Sequence, residues 1–234
     1  MNRGSLILLP APLGDNNPSE VVPSSVLEAA CRLDCFVVEE IRTARRFLSR
    51  YGLKGRIDTL EFHELNEHTT QTEVENLIHL FEGRDVGLIT EAGLPAVADP
   101  GSALVSLCHR NGIRVVPMVG PSSLMLALMA SGLNGQSFAF LGYIPAKTEE
   151  RRAAIRNIEK ASAKDHQTQI LIETPYRNDS LLKDLRELLS PGTMLCVAAD
   201  LTLPTEFIAT KTVAQWRKND ISIGKRPCVF LILA

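Results

Sequence analysis

Thr90-Glu91-Ala92-Gly93-Leu94-Pro95-Ala96-Val97-Ala98-Asp99-Pro100-Gly101 is the stretch on which the fold turns. It follows an apolar run at 85–89 and leads into a helix-like segment after Pro100-Gly101. Further on, Val119-Gly120-Pro121-Ser122-Ser123 occupies the same kind of place, after a run at 113–116 and before another helix-like segment. Strand–loop–helix units put small residues and backbone N–H groups at the C-terminal ends of strands. A ligand can approach closely there, because Gly, Ala and Ser leave room. Either loop alone reads equally well as an ordinary turn of an α/β domain; the two together point to a binding edge.

Around these loops, apolar runs bounded by turn residues predict strands at 5–9, 35–38, 57–62, 85–89 and 113–117. Helical patterns separate them at 23–32, 41–51, 70–82 and 101–111. Such alternation predicts a parallel sheet with right-handed crossovers. Past Gly120 a helix at 122–131 is followed by strand-like runs at 137–142, 168–172, 193–199, 206–210 and 227–233. Helices near 148–160 and 178–189 interrupt them less often, which predicts a mixed sheet. The expected organisation is two α/β domains, 1–119 and 120–234.

With 45% hydrophobic and 22% charged residues in 234, the chain has the makings of a packed core, and this composition excludes a disordered chain. Its net charge of −2 does not advertise a nucleic-acid binder, although a local basic face can override an average. Five scattered cysteines read as reduced thiols of a cytoplasmic protein. Cys31-Arg32-Leu33-Asp34-Cys35 has no second pair to complete a zinc site. His63-Glu64-Leu65-Asn66-Glu67-His68 misses the H-E-x-x-H spacing. On a helix its two histidines would point about 140° apart. No metal is therefore expected. The apolar run at 6–9 is too short for a signal peptide or membrane span, and neither a dinucleotide fingerprint nor a P-loop occurs.

Two groups of charged residues stand out. Glu39, Glu40 and Arg42 follow the apolar run 36–38, which places two carboxylates at a strand end. Carboxylates beside an arginine can orient a nucleophile or act as a base; they can equally be a helix-start acid pair facing the dipole. Arg42, Arg45, Arg46 and Arg50 share one helix face and read either as phosphate contacts or as a solvated face. A second basic group, Lys147, Arg151, Arg152 and Arg156, follows Pro145.

The loops, taken in order, resemble those of the tetrapyrrole-methylase-like S-adenosylmethionine enzymes. Glu91-Ala92-Gly93-Leu94-Pro95 with Asp99-Pro100-Gly101 is similar to their D-A-G-T-P-x-x-x-D-P-G. Val119-Gly120-Pro121-Ser122-Ser123-Leu124 is similar to P-G-A-S-A-L. Leu9-Pro10-Ala11-Pro12-Leu13-Gly14-Asp15 stands for A-T-P-I-G-N, Phe62-His63-Glu64-Leu65-Asn66-Glu67 for Y-H-E-x-N-E, and Glu173-Thr174-Pro175-Tyr176-Arg177 for E-S-P-H-R. The likeness spans nearly the whole chain. It implies S-adenosylmethionine held in a cleft between the domains, with cofactor contacts from Glu91, Ala92, Gly93, Leu94, Ser122, Ser123, Glu173, Ala199 and Cys228. It also implies a homodimer. In the branch it most resembles, the acceptor is a ribose 2′-hydroxyl of small-subunit ribosomal RNA, with Glu39, Glu40 and Arg42 on the substrate side. A tetrapyrrole or other small-molecule acceptor, or a non-catalytic cofactor- or RNA-binding role, are the alternatives. The family pattern is departed from at Glu40, Ile41, Glu91, Leu94 and Ala199, where Asp, Thr, Asp, Thr and Arg are usual.

Overall fold

The computed structural model describes residues 3–219 and 221–234 and divides into two compact units, Met1–Ser122 and Ser123–Ala234. In the first, β1 (Leu6–Leu9), β2 (Cys35–Val38), β3 (Glu61–Glu64), β4 (Val86–Ile89) and β5 (Val115–Pro117) form a sheet in the order β3-β2-β4-β1-β5. All four pairings are parallel. Helices α1 (Pro18–Val21), α2 (Ser24–Cys31), α3 (Ile41–Leu48), α4 (Gln71–Asn76) and α5 (Ser102–Arg110) connect them.

Alternate strand residues feed two separate cores. Leu6, Val37 and Leu88 pack with Leu80, Phe81, Leu104 and Leu107. Leu9, Phe36, Val38 and Ile89 pack with Val26, Ala30, Leu48 and Tyr51. The two faces explain why these strands read as continuous apolar runs.

The second unit runs α6 (Ser123–Ser131), β6 (Phe138–Tyr143), α7 (Thr148–Asp165), β7 (Thr168–Ile172), α8 (Asn178–Leu188), β8 (Met194–Ala199), β9 (Phe207–Thr212), α9 (Val213–Trp216) and β10 (Cys228–Leu233). Its sheet order is β6-β7-β10-β8-β9, parallel only between β6 and β7. The mixed sheet is thus as expected. Ile155, Leu181, Leu185, Val197, Trp216 and Phe230 make the core under α7 and α8, with Trp216 Nε1 donating to the Leu195 carbonyl at 2.8 Å.

One strand is displaced from its predicted place. Residues 57–59 form a 3₁₀ turn, closed by Thr59 Oγ1 donating to the Arg56 carbonyl, and β3 begins only at Glu61. The register explains it: Glu61 is paired with Cys35, the first residue of β2, so earlier residues have no neighbour to bond. Two short helices are not visible as periodic patterns. Asn17 caps α1, and a Thr212/Gln215 capping box starts α9.

Candidate functional site

Because β1, β2 and β4 are parallel, the loops that leave them gather at one edge of the first unit's sheet. Ala11 N–H donates to the Gly93 carbonyl at 2.8 Å, and Gly93 N–H returns the bond to the Ala11 carbonyl at 3.1 Å. Gly93 has φ 76°, and a Cβ there would sit 3.2 Å from Leu13 Cδ2. At Gly120 a Cβ would fall 2.2 Å from the Cβ of Pro10. These two glycines let three loops lie backbone against backbone. Asp99 Oδ1 closes the long loop by accepting from Gly101 N–H at 2.6 Å and Ala96 N–H at 3.3 Å. Ala96 and Ala98 both hold left-handed backbone (φ 64° and 57°), strain of the kind that collects at functional loops.

The structure separates the two strand-end carboxylates. Glu40 caps α3: its Oε1 accepts from Arg42 N–H at 2.9 Å, and its Oε2 from Thr43 N–H and Oγ1 at 2.7 and 2.6 Å. These bonds hold its carboxyl below the usual range. Glu39 is half-buried and its carboxylate accepts no hydrogen bond among the described residues. Burial first, then the charges of Glu91, Asp99 and Glu67, hold its carboxyl above the usual value of 4.5. Glu39 and Glu91 line one crevice with Thr43, Phe47 and Thr90. A cavity of about 530 Å³ adjoins it, sharing Thr43, Phe47 and Glu91 and adding Leu13, Arg46 and Arg50. That volume is in the range of small-ligand sites.

The arginines of α3 divide likewise. Arg45 pairs with Asp58, while Arg50 bonds Asp15 at 2.7 Å and the Asn16 carbonyl. The Arg42 and Arg46 side chains make no hydrogen bond or ion pair among the described residues. Arg46 and Phe47 as cavity walls were not legible in the sequence, because nothing in a helix's spacing says which loop it will face.

In the second unit, Glu173, Ala199 and Cys228 also come together. β10 runs antiparallel to both β7 and β8, so Cys228 pairs with Ala199 and Val229 with Ile172, the residue before Glu173. The Glu173 side chain is fully buried. Its Oε1 accepts from Thr174 N–H at 2.6 Å and from Arg177 Nε at 2.9 Å and Nη2 at 2.5 Å. Its Oε2 has no partner among the described residues, and neither does Asn178 Oδ1. Two buried acceptors without donors are costly unless a bound group or water supplies N–H or O–H. Asp200 and Thr202, just past β8, also hold left-handed backbone (φ 52° and 71°). This is a second strained loop at a strand end, one that residue types alone did not reveal.

Close-packed small-residue loops, two strained strand-end turns and a buried carboxylate oxygen without a partner among the described residues define a ligand-binding α/β protein, and the chain belongs to the family Tetrapyrrole (Corrin/Porphyrin) Methylases, matched over residues 16–216. It is 31% identical to Ribosomal RNA small subunit methyltransferase I of Escherichia coli O157:H7, over 99% of this chain and 78% of that protein. Among solved structures it is similar to diphthine synthase (TM-score 0.67, 18% identity, 99% of this chain and 90% of that one). It is also similar to Uroporphyrin-III C-methyl transferase from Thermus thermophilus complexed with S-adenyl homocysteine (TM-score 0.55, 15% identity, 98% and 97%). The chain is a methyltransferase.

Proposed function

We propose that this methyltransferase uses S-adenosylmethionine to methylate a ribose 2′-hydroxyl of small-subunit ribosomal RNA, with Glu39 taking the hydroxyl proton. The relatives' name supports the RNA substrate; Glu39 carries the finer reading. A carboxylate that is half-buried, unbonded and held above its usual pKa is better matched to proton transfer than one already committed, as Glu40 is, to capping a helix. When bound, the cofactor supplies a methyl on a sulfonium, a good leaving group. The protein's own task is to align the acceptor oxygen and exclude water. We assign cofactor contacts to Glu91, Ala92, Gly93, Leu94 and Ser122 in the first unit and to Ser123, Glu173, Ala199 and Cys228 in the second. The fit rests on the room kept at Gly93 and on the unpartnered Glu173 Oε2, which needs a donor. Arg42 stands on the acceptor side.

The test is incubation with radiolabelled S-adenosylmethionine and small ribosomal subunits, followed by alkaline hydrolysis of the RNA. A 2′-O-methyl blocks cleavage at its own linkage, so label in an alkali-resistant dinucleotide is expected. Label in a mononucleotide, or only in small molecules, overturns the ribose assignment. The protein is also proposed to be a homodimer acting in the cytoplasm; sedimentation equilibrium of the full chain giving a monomer mass overturns the first of these.

A further inference from the structure

Neither the cysteine pair 31/35 nor the histidine pair 63/68 has metal-ligand spacing, yet the fold takes one residue from each and sets them side by side. Cys35 opens β2 and is paired in register with Glu61, which opens β3; His63 follows Glu61 by two residues and so shares its face of the strand. Cys35 Sγ, a Glu61 carboxylate oxygen and a His63 ring nitrogen all lie within 4.8 Å of one another. We propose that Cys35, Glu61 and His63 form a zinc-class metal site at the edge of the first unit's sheet, independent of the methyl-transfer site.

Thiolate, imidazole and carboxylate are zinc's usual donors, and three protein ligands at these separations can close on one ion with little movement. The β2–β3 register fixes the backbone positions from which the three donors project. Hydrogen bonds from its surroundings already orient it. Arg84 Nη1 donates to Glu61 Oε2 at 2.5 Å and leaves Oε1 turned to His63 Nε2 at 2.7 Å. His79, on the 3₁₀ turn after α4, presents its ring edgewise to His63 with centroids 6.5 Å apart. Its Nδ1 is tied to the Asn76 carbonyl, which fixes the ring beside His63; the donor set itself is Cys35, Glu61 and His63. Cys35 and Glu61 lie at the N-terminal starts of β2 and β3, with His63 two residues further along β3, whereas Glu39 and Glu91 follow the C-terminal ends of β2 and β4. A metal here would tie the edge strand β3 to β2, protecting an otherwise exposed ladder.

The full chain, freed of metal with a chelator and titrated with Co²⁺, should bind one ion per chain. It should show a near-ultraviolet thiolate-to-cobalt charge-transfer band with the visible bands of a tetrahedral centre. Cys35→Ser should abolish the charge-transfer band, and Cys31→Ser should keep it. Because Cys35 is buried and its variant risks misfolding, His63→Gln on the edge strand gives the second reading. It should weaken Co²⁺ and Zn²⁺ affinity by more than about 10²-fold while leaving the circular dichroism spectrum unchanged. No charge-transfer band in the parent protein, a band that survives Cys35→Ser, or unchanged affinity in His63→Gln overturns the site.

Discussion

Two helices of this molecule carry an adjacent arginine pair, Arg45-Arg46 on α3 and Arg151-Arg152 on α7, and the fold matches both members of the second with acids but only Arg45 of the first. On α7 Arg151 is buried. Its Nε and Nη2 reach Asp184 Oδ2 at 2.7 and 2.6 Å, with further bonds to the Ala146 carbonyl and Ser180 Oγ. Arg152 bonds Asp184 and Glu187. Two of the four residues in the basic group that follows Pro145, Arg151 and Arg152, are thus matched by acids of α8. On α3 only part of the charge is matched: Arg45 pairs with Asp58, whereas Glu39 and the Arg42 and Arg46 side chains make no hydrogen bond or ion pair among the described residues, and Arg46 lines the large cavity with Glu91. Matched charge locks two helices together; unmatched charge stands ready for something the chain does not itself contain.

The largest expected effect comes from removing the unmatched carboxylate. Glu39→Gln should lower turnover by about 10²–10⁴-fold at saturating substrate. It should not lower the melting temperature, since the side chain makes no hydrogen bond or ion pair among the described residues. A single-turnover measurement and a thermal melt on the same sample decide between this and a bracing role, in which the melt falls and the rate holds.

The matched side gives the opposite pattern. Asp184→Ala strands the buried Arg151 guanidinium and should cost about 3–5 kcal/mol of stability by denaturant unfolding. Turnover at a temperature where the variant is folded should equal that of the parent. A cost under about 1 kcal/mol would mean that Arg151 reaches water or another acid and that the two helices differ less than their ion pairs suggest.

Proton linkage at Glu39 should be smaller but of diagnostic sign. Its folded pKa lies above 4.5 because burial and the neighbouring Glu91, Asp99 and Glu67 disfavour the charge, so the folded state binds this proton more tightly than the unfolded chain. As pH falls through the folded pKa, Glu39 stops destabilising the fold and the parent gains stability relative to Glu39→Gln. Over the same acidic window the parent's turnover falls, since only the ionised form is a base. Across that window the parent's stability relative to Glu39→Gln should rise while the parent's turnover falls; a turnover that does not fall would remove Glu39 from proton transfer.

Much of this was legible in the residues. The alternating runs point to the parallel sheet, and Glu91, Gly93, Glu173, Ala199 and Cys228 stand at strand ends or starts where ligand-contacting loops are expected. What stayed hidden depends on long-range pairing. Glu39 and Glu40 are chemically equivalent in sequence, and only the start of α3 decides that Glu40 is its cap. Arg151 looks as exposed as Arg46 until α8 supplies Asp184. Cys35 and His63 belong to motifs that fail by spacing, and only the β2–β3 register joins them. Local pattern fixes elements, while the meaning of a charged residue waits on which element it faces.

The smallest effect separates the arginines within α3. Arg42 and Arg46 are the members free to meet phosphate, whereas Arg45 and Arg50 are engaged with Asp58, Asp15 and the Asn16 carbonyl. If unmatched charge is what meets RNA, Arg42→Ala with Arg46→Ala should flatten the slope of log affinity against log salt by about 0.7 for each phosphate no longer neutralised. Arg45→Ala should leave the slope in place and instead loosen the turn at 57–59, where Asp58 sits, read as a small drop in melting temperature. Fluorescence anisotropy with a single-stranded RNA probe at several salt concentrations measures the slopes, and a thermal melt measures the turn. An equal flattening in the two variants would mean that Arg45 leaves Asp58 for phosphate when RNA arrives, and that the matched and unmatched arginines of α3 exchange roles on binding.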